Sequence, residues 1–119
     1  MDTLVEWLPR IGAILTLIIG LVGFFKPRAM TNNLQIELGS NMAMSEARVV
    51  FGGLNLGAAI AALLLNSALV YITLGVAWFF GLLARCYSML VDKTSFKDSL
   101  PGMVVDASLS FLFLSGLLF

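Results

Sequence analysis

The residues with the clearest chemical potential are charged side chains inside otherwise apolar stretches. Arg48, Arg85 and Asp106 each lie in a segment that is hydrophobic and long enough to cross a bilayer. A charge in hydrocarbon costs on the order of 3 kcal/mol by insertion scales, so such residues normally face one another inside a bundle. Arginine's planar fork suits phosphate or carboxylate. The pattern therefore predicts a polar layer inside the membrane.

These charges are expected at one depth. Arg85 lies six residues before Val91, the end of its predicted helix, which is about 9 Å along the axis. Arg48 is near the start of the second predicted helix, and Asp106 is about one turn into the fourth. Glu46 is at the rim. We expect Asp106 and Glu46 to pair with the two arginines.

Helical spacing extends this layer, because residues three or four positions apart share a face. The shared stripes are Arg48, Gly52 and Asn55; Gly81, Arg85, Ser88 and Asp92; and Asp106 and Ser110. Glycine on such faces permits close helix contact or leaves room for a ligand, as at Gly52 and Gly81. Gly53 and Gly57 have the small-xxx-small spacing of helix packing.

Three uses of the polar layer remain open. Buried arginine–carboxylate pairs can simply fix the register of helices, and arginines near a helix end can reach lipid phosphates. The layer can instead form a cytoplasm-facing pocket whose arginines bind an anionic head group, or it can belong to a proton or ion path.

The elements that carry these residues are predicted to be four transmembrane helices in a single domain, over approximately 7–25, 46–65, 68–91 and 103–119. Of the 119 residues, 60% are hydrophobic and only 12% are charged, and the mean hydropathy is +0.99, which favours lipid as the solvent. Pro27 is expected to end the first helix, and Asn66-Ser67 to break the long uncharged run between the second and third. The fold class is therefore an all-α, integral membrane four-helix bundle.

Composition also excludes several functions. The chain has no histidine and one cysteine, so neither a metal site nor a cofactor is predicted. A formal net charge of zero argues against nucleic-acid binding. The expected partners are the lipid bilayer and either a larger membrane protein or further copies of the chain.

Orientation follows from the basic residues, which favour the cytoplasmic side. Arg10 alone lies near the side of the termini, whereas the others lie on or near the side of the two longer loops: Lys26, Arg28, Arg48, Arg85, Lys93 and Lys97. We expect loops in the cytoplasm and both termini outside.

The run from Glu46 to Gly57 (EARVVFGGLNLG) resembles the second-helix signature of a bacterial family of small four-helix membrane proteins described only as a domain of unknown function. Arg85, Ser88 and Asp92 are similar to the pattern at the end of that family's third helix, although Ala84 and Lys93 replace its two glycines. The acidic residue early in its fourth helix would be Asp106. The resemblance implies the four-helix architecture in a bacterial inner membrane and supplies no activity.

The predicted role is that of a small non-enzymatic protein, an accessory or scaffold subunit of a larger membrane complex. The alternative is a binder or carrier of a lipid-like or anionic amphiphilic ligand through the polar pocket. An enzyme is disfavoured, because no serine has an identifiable base beside it and no metal-ligand set appears.

Overall fold

The fold consists of four long helices, and the computed structural model describes residues 3–118, with side chains for 6–117. In chain order the elements are α1 (Thr3–Phe25), α2 (Pro27–Asn33), α3 (Asn41–Ala47), a π-helix (Arg48–Gly53), α4 (Leu54–Leu65), α5 (Ala68–Val91) and α6 (Phe96–Leu118). The segment from α3 through the π-helix to α4 is one continuous rod. This rod and α1, α5 and α6 are each long and apolar enough to cross a membrane. The chain is thus an all-α membrane protein, as its sequence predicts.

Two helix breaks lie where the sequence predicts them. Helix α1 ends at Phe25, and Pro27 is the first residue of α2. Asn66 ends α4 with φ 45° and ψ 46°, a left-handed conformation that asparagine tolerates. Ser67 is extended and precedes α5. The Asn66-Ser67 turn therefore makes α4 and α5 a tight hairpin; we call its end of the molecule the turn side and the opposite end the loop side.

Two helices begin earlier than predicted, at residues 41 and 96 rather than 46 and 103. Each start has a serine cap: Ser40 Oγ accepts from the Ala43 N–H, and Ser95 Oγ accepts from the Asp98 N–H, both at 3.0 Å. Such caps satisfy N–H groups that a helix start leaves free. Pro101 precedes the predicted start at residue 103 but lies inside α6, where its exposure lets water reach the carbonyl left unpaired by the missing N–H.

Close backbone contact joins α1 to the π-helix. A Cβ atom on Gly52 would lie 2.5 Å from backbone atoms of Phe24, and one on Gly23 would lie 2.5 Å from the backbone of Phe51. Only glycine allows this approach. Gly53 and Gly57, in contrast, have no neighbour near the position of a Cβ, so they make no close helix contact within the described chain.

The order of packing differs from the order of the sequence. Helix α4 packs on α1, α1 packs on α6, and α6 packs on α5, whereas α4 and α5 have few contacts with each other although one turn joins them. The two helices of the hairpin are therefore separated over part of their length.

The turn side is the tightly packed end of the bundle. Tyr71 is buried, its ring stacks on Phe113 with centroids 6.2 Å apart, and its hydroxyl donates to Asn66 Oδ1 at 2.8 Å. Arg10 Nε donates to the same oxygen at 3.3 Å. The other buried residues of this core are Ala13, Ala62 and Leu109. The hairpin is thus fastened to α1 and α6 where it turns.

Candidate functional site

The gap between α4 and α5 is a cavity of about 1140 Å³ that reaches from the loop side into the middle of the bundle. Helices α4 and α5 form its walls, Thr16 of α1 and Asp106 of α6 lie behind it, and the connection between α5 and α6 forms its rim. Thr16 and Asp106 are buried. The cavity is as large as the upper end of the range for small-molecule pockets.

The polarity of the lining changes along the cavity. The part nearer the turn side is mostly apolar and is lined by Ala58, Leu74, Ala77 and Trp78, together with Leu54 and the amide side chain of Asn55. The middle part contains Arg85, Ser88 and Asp106, and the rim contains Asp92, Lys93, Thr94, Ser95, Asp98 and Ser99. Leu74 and Arg85 are eleven residues apart on α5, or about 16 Å along the axis. The cavity therefore has a long apolar end and a charged end.

Arg85 and Asp106 form an ion pair in the cavity wall. Arg85 Nε donates to Asp106 Oδ2 at 2.5 Å, and the side chains are 34% and 5% exposed, respectively. Nη1 and Nη2 of Arg85 have no hydrogen-bond partner among the described residues, and neither nitrogen is sealed from the surface. The carboxylate thus holds the Nε edge of the guanidinium and leaves both Nη groups without a partner among the described residues, on a side chain that lines the cavity.

Gly102 makes room for this guanidinium. A Cβ atom on Gly102 would fall on the Cζ and Nη1 atoms of Arg85. The guanidinium therefore lies directly against the backbone of α6, one turn nearer the loop side than Asp106. Any larger residue at position 102 would displace it.

Asn55, Ser88 and Gly81 also line the cavity. Asn55 Nδ2 donates to the carbonyl of Phe51 in the π-helix at 2.8 Å. The position of a Cβ on Gly81 is 3.9 Å from the Asp106 carboxylate. Ser110 lies deeper, where its hydroxyl donates to the Gly75 carbonyl at 3.3 Å and so joins α6 to α5.

The structure does not bring Arg48 and Glu46 to this site. Arg48 Nη1 donates to the carbonyl of Phe24 at the end of α1, and Glu46 is exposed. Neither lines the cavity, and within residues 6–117 the one ion pair is Arg85–Asp106. The predicted cluster of Arg48, Arg85, Asp106 and Glu46 is therefore replaced by the single Arg85–Asp106 pair. The reason is the π-helix, whose wider turn shifts the faces on which residues before and after it lie, so Arg48 and Asn55 do not share a stripe.

Several cavity residues were not singled out from the sequence. Thr16 is buried with its hydroxyl donating to the Gly12 carbonyl at 2.8 Å, and such a residue has no distinctive signal. Asp98 had one: Ser95 and Asp98 have the spacing of a capping box, and Asp98, Gly102 and Asp106 are four residues apart on one face of α6. Recognising the cap would have placed all three on one helix.

Comparison with known proteins gives a family and no further relative. A family model described as "Domain of unknown function (DUF4345)" matches residues 5–117. No curated protein and no solved structure was found to match the chain.

Proposed function

We propose that this chain, which belongs to the DUF4345 family of domains of unknown function, binds a lipid-like amphiphile in the cavity between α4 and α5. The observation that carries the proposal is that only one of the three guanidinium nitrogens of Arg85 is hydrogen-bonded among the described residues. Its Nε is held by buried Asp106, while its Nη N–H groups have no partner among the described residues, and Arg85 lines the cavity. A guanidinium oriented in this way is suited to a phosphate or carboxylate oxygen.

The apolar end of the cavity supports an amphiphile over a small water-soluble anion. Leu54 and Ala77 line the cavity and are also exposed on the surface of the bundle. Both belong to helices that are long and apolar enough to cross a membrane, and we propose that the cavity opens sideways to the bilayer between α4 and α5. A ligand with an acyl chain can enter from the bilayer, keep its chain in an apolar environment, and place its head group at Arg85.

We further propose a bacterial inner-membrane location with the loops in the cytoplasm. The support is the distribution of basic residues, with Arg10 near the turn side and the exposed Lys26, Arg28, Lys93 and Lys97 on the loop side. In this orientation the cavity opens into the cytoplasmic leaflet. A reporter fused after Phe119 is expected outside, and a cytoplasmic reporter would overturn the orientation.

Trp78, which lines the cavity, can report ligand binding through its intrinsic fluorescence. The chain has two tryptophans, and Trp7→Phe leaves Trp78, which lines the cavity, as the single reporter. Lipids with brominated acyl chains, titrated into detergent micelles that hold this variant, should quench Trp78 with a saturable curve. Arg85→Gln should weaken binding at least about tenfold, because it removes a charge-assisted hydrogen bond of about 1.5–3 kcal/mol.

Arg28→Gln is the matched control, since Arg28 is exposed and outside the cavity. It removes the same charge and should leave the titration unchanged. Quenching that rises without saturation and is identical in the Arg85→Gln variant would contradict ligand binding at this site.

An accessory role in a larger membrane complex stays a second prediction. The helices expose many large apolar side chains, but contact with lipid accounts for such surfaces in a bilayer. Nothing specific therefore favours a protein partner. Native mass spectrometry after gentle extraction separates the two: a second protein at fixed stoichiometry supports the accessory role, and a lipid-sized mass that is lost in Arg85→Gln supports the binder.

A further inference from the structure

The charged end of the cavity has an ordered arrangement along α6. Asp98, Gly102 and Asp106 are spaced by four residues and so share one face of the helix. The Arg85 guanidinium lies against Gly102, between the two aspartates. One step of four residues is about 6 Å along the axis. Asp98 therefore lies about one turn nearer the loop side than the guanidinium.

A second carboxylate lies at the same end. Asp92, the residue that follows the end of α5, comes seven residues after Arg85 and so on the same face, and both Asp92 and Asp98 line the cavity. Neither forms an ion pair among the described residues, whereas Asp106 is already paired with Arg85.

The balance of charge in the cavity opposes a ligand that is only anionic. Its lining contains two basic residues, Arg85 and Lys93, against three acidic ones, Asp92, Asp98 and Asp106. An anion at Arg85 would add to this negative excess. A ligand that also carries a positive group about one turn nearer the loop side would instead be attracted by the two unpaired carboxylates.

We infer that the head group of the ligand is zwitterionic, with its anionic oxygens on Nη1 and Nη2 of Arg85 and its ammonium group beside Asp98 and Asp92. This inference rests on the proposed function and specifies its ligand. Amphiphiles with a phosphate and a nearby amine have this chemistry. An ammonium group donates hydrogen bonds that carboxylates accept, and Asp98 and Asp92 would select for it.

The test compares two brominated lipids that differ only in the head group: phosphatidylethanolamine, which carries an ammonium, and phosphatidylglycerol, which does not. Both are titrated against the Trp7→Phe protein with Trp78 fluorescence as readout. Phosphatidylethanolamine should bind at least about tenfold more tightly, the size of one charge-assisted hydrogen bond. Asp92→Asn and Asp98→Asn, made singly and together, should remove this preference. Glu37→Gln, an exposed acidic residue outside the cavity, should keep it.

Each outcome separates the inference from the function on which it rests. Saturable quenching that depends on Arg85 but is as tight or tighter for phosphatidylglycerol would overturn the zwitterionic head group and leave the binding site standing. A preference for phosphatidylethanolamine that survives both aspartate replacements would overturn it as well. Absence of saturable quenching by either lipid would overturn the binding function. If the double variant does not fold, the single variants decide, each with a partial loss of preference expected.

Discussion

Removing either partner of the Arg85–Asp106 pair should destabilise the protein by different amounts. Asp106 is 5% exposed, so Arg85→Gln leaves a buried carboxylate without its counter-charge. Breaking a buried pair from one side typically costs about 3–5 kcal/mol. Arg85 is 34% exposed, so after Asp106→Asn its guanidinium stays solvated from the cavity and the new amide oxygen can still accept from Nε. We expect Asp106→Asn to cost only about 1–2 kcal/mol.

The double variant tests whether the two effects share a cause. Arg85→Gln with Asp106→Asn should cost little more than Asp106→Asn alone, because no buried charge is left unpaired. This predicts a coupling energy nearly equal to the cost of Arg85→Gln alone, about 3 kcal/mol or slightly more, at the upper end of the range for residues in direct contact. The assay is unfolding of the purified protein in mixed micelles by titration with a denaturing detergent, followed by circular dichroism.

Arg28→Gln provides the control and should change the free energy of unfolding by less than about 0.5 kcal/mol, as expected for an exposed side chain. Equal costs for the two single variants, with simple addition in the double variant, would refute the reasoning. Such a result would mean that the guanidinium and the carboxylate do not depend on each other.

Three further predictions follow from the packing. Gly52→Ala should destabilise the protein by about 2–3 kcal/mol, because its Cβ would meet backbone rather than a flexible side chain. Gly53 faces open space, so Gly53→Ala should stabilise the protein by about 0.5 kcal/mol. The same unfolding titration measures both variants, and effects of the same sign would contradict the contact between Gly52 and α1. Gly102→Ala should displace Arg85 and weaken saturable quenching of the cavity tryptophan about tenfold, and an unchanged midpoint would count against the position of the guanidinium. Asn66→Gly should lower the free energy of unfolding by about 1 kcal/mol, because it removes two side-chain hydrogen bonds. Asn66→Ala should lower it by about 1 kcal/mol more, because residue 66 has a left-handed conformation that alanine disfavours. The reverse order would show that the turn does not require this conformation.

The sequence predicts a helix boundary correctly where one local feature determines it, and incorrectly where a helix-breaking residue and a helix cap lie close together. Apolar runs of sufficient length specify the four spans, and Asn66-Ser67 specifies the hairpin. The start of α6 was misplaced because Pro101 and the polar residues around it indicate a connection. The cap by Ser95 proved stronger, since a proline near a helix end loses only one hydrogen bond.

The site was partly predictable for a different reason. Arg85 and Asp106 lie inside apolar regular α-helices, where a charged residue is expected to find a partner. The depth of Asp106 was nevertheless counted from residue 103, whereas α6 begins at Phe96, so Asp106 lies ten residues into the helix and not one turn. Arg48 is in a π-helix, which residue counting with the α-helical period cannot anticipate. The cavity itself depends on which helices pack together, and that is a property of contacts between residues far apart in sequence.

The positions of the small residues explain why a cavity lies between two helices that are joined by a tight turn. Gly52 allows the α3–α4 rod to pack closely on α1. Gly75, where a Cβ would meet the side chain of Leu114, allows α5 to pack closely on α6. Each helix of the hairpin thus uses its close-packing face on a different neighbour, and larger side chains such as Leu54 and Trp78 are left facing the gap. In a bilayer any acyl chain can occupy an apolar gap of this kind, so the apolar end gives little selectivity. Selectivity must come from the charged end, where Arg85 is held in place by Asp106 and by the backbone at Gly102.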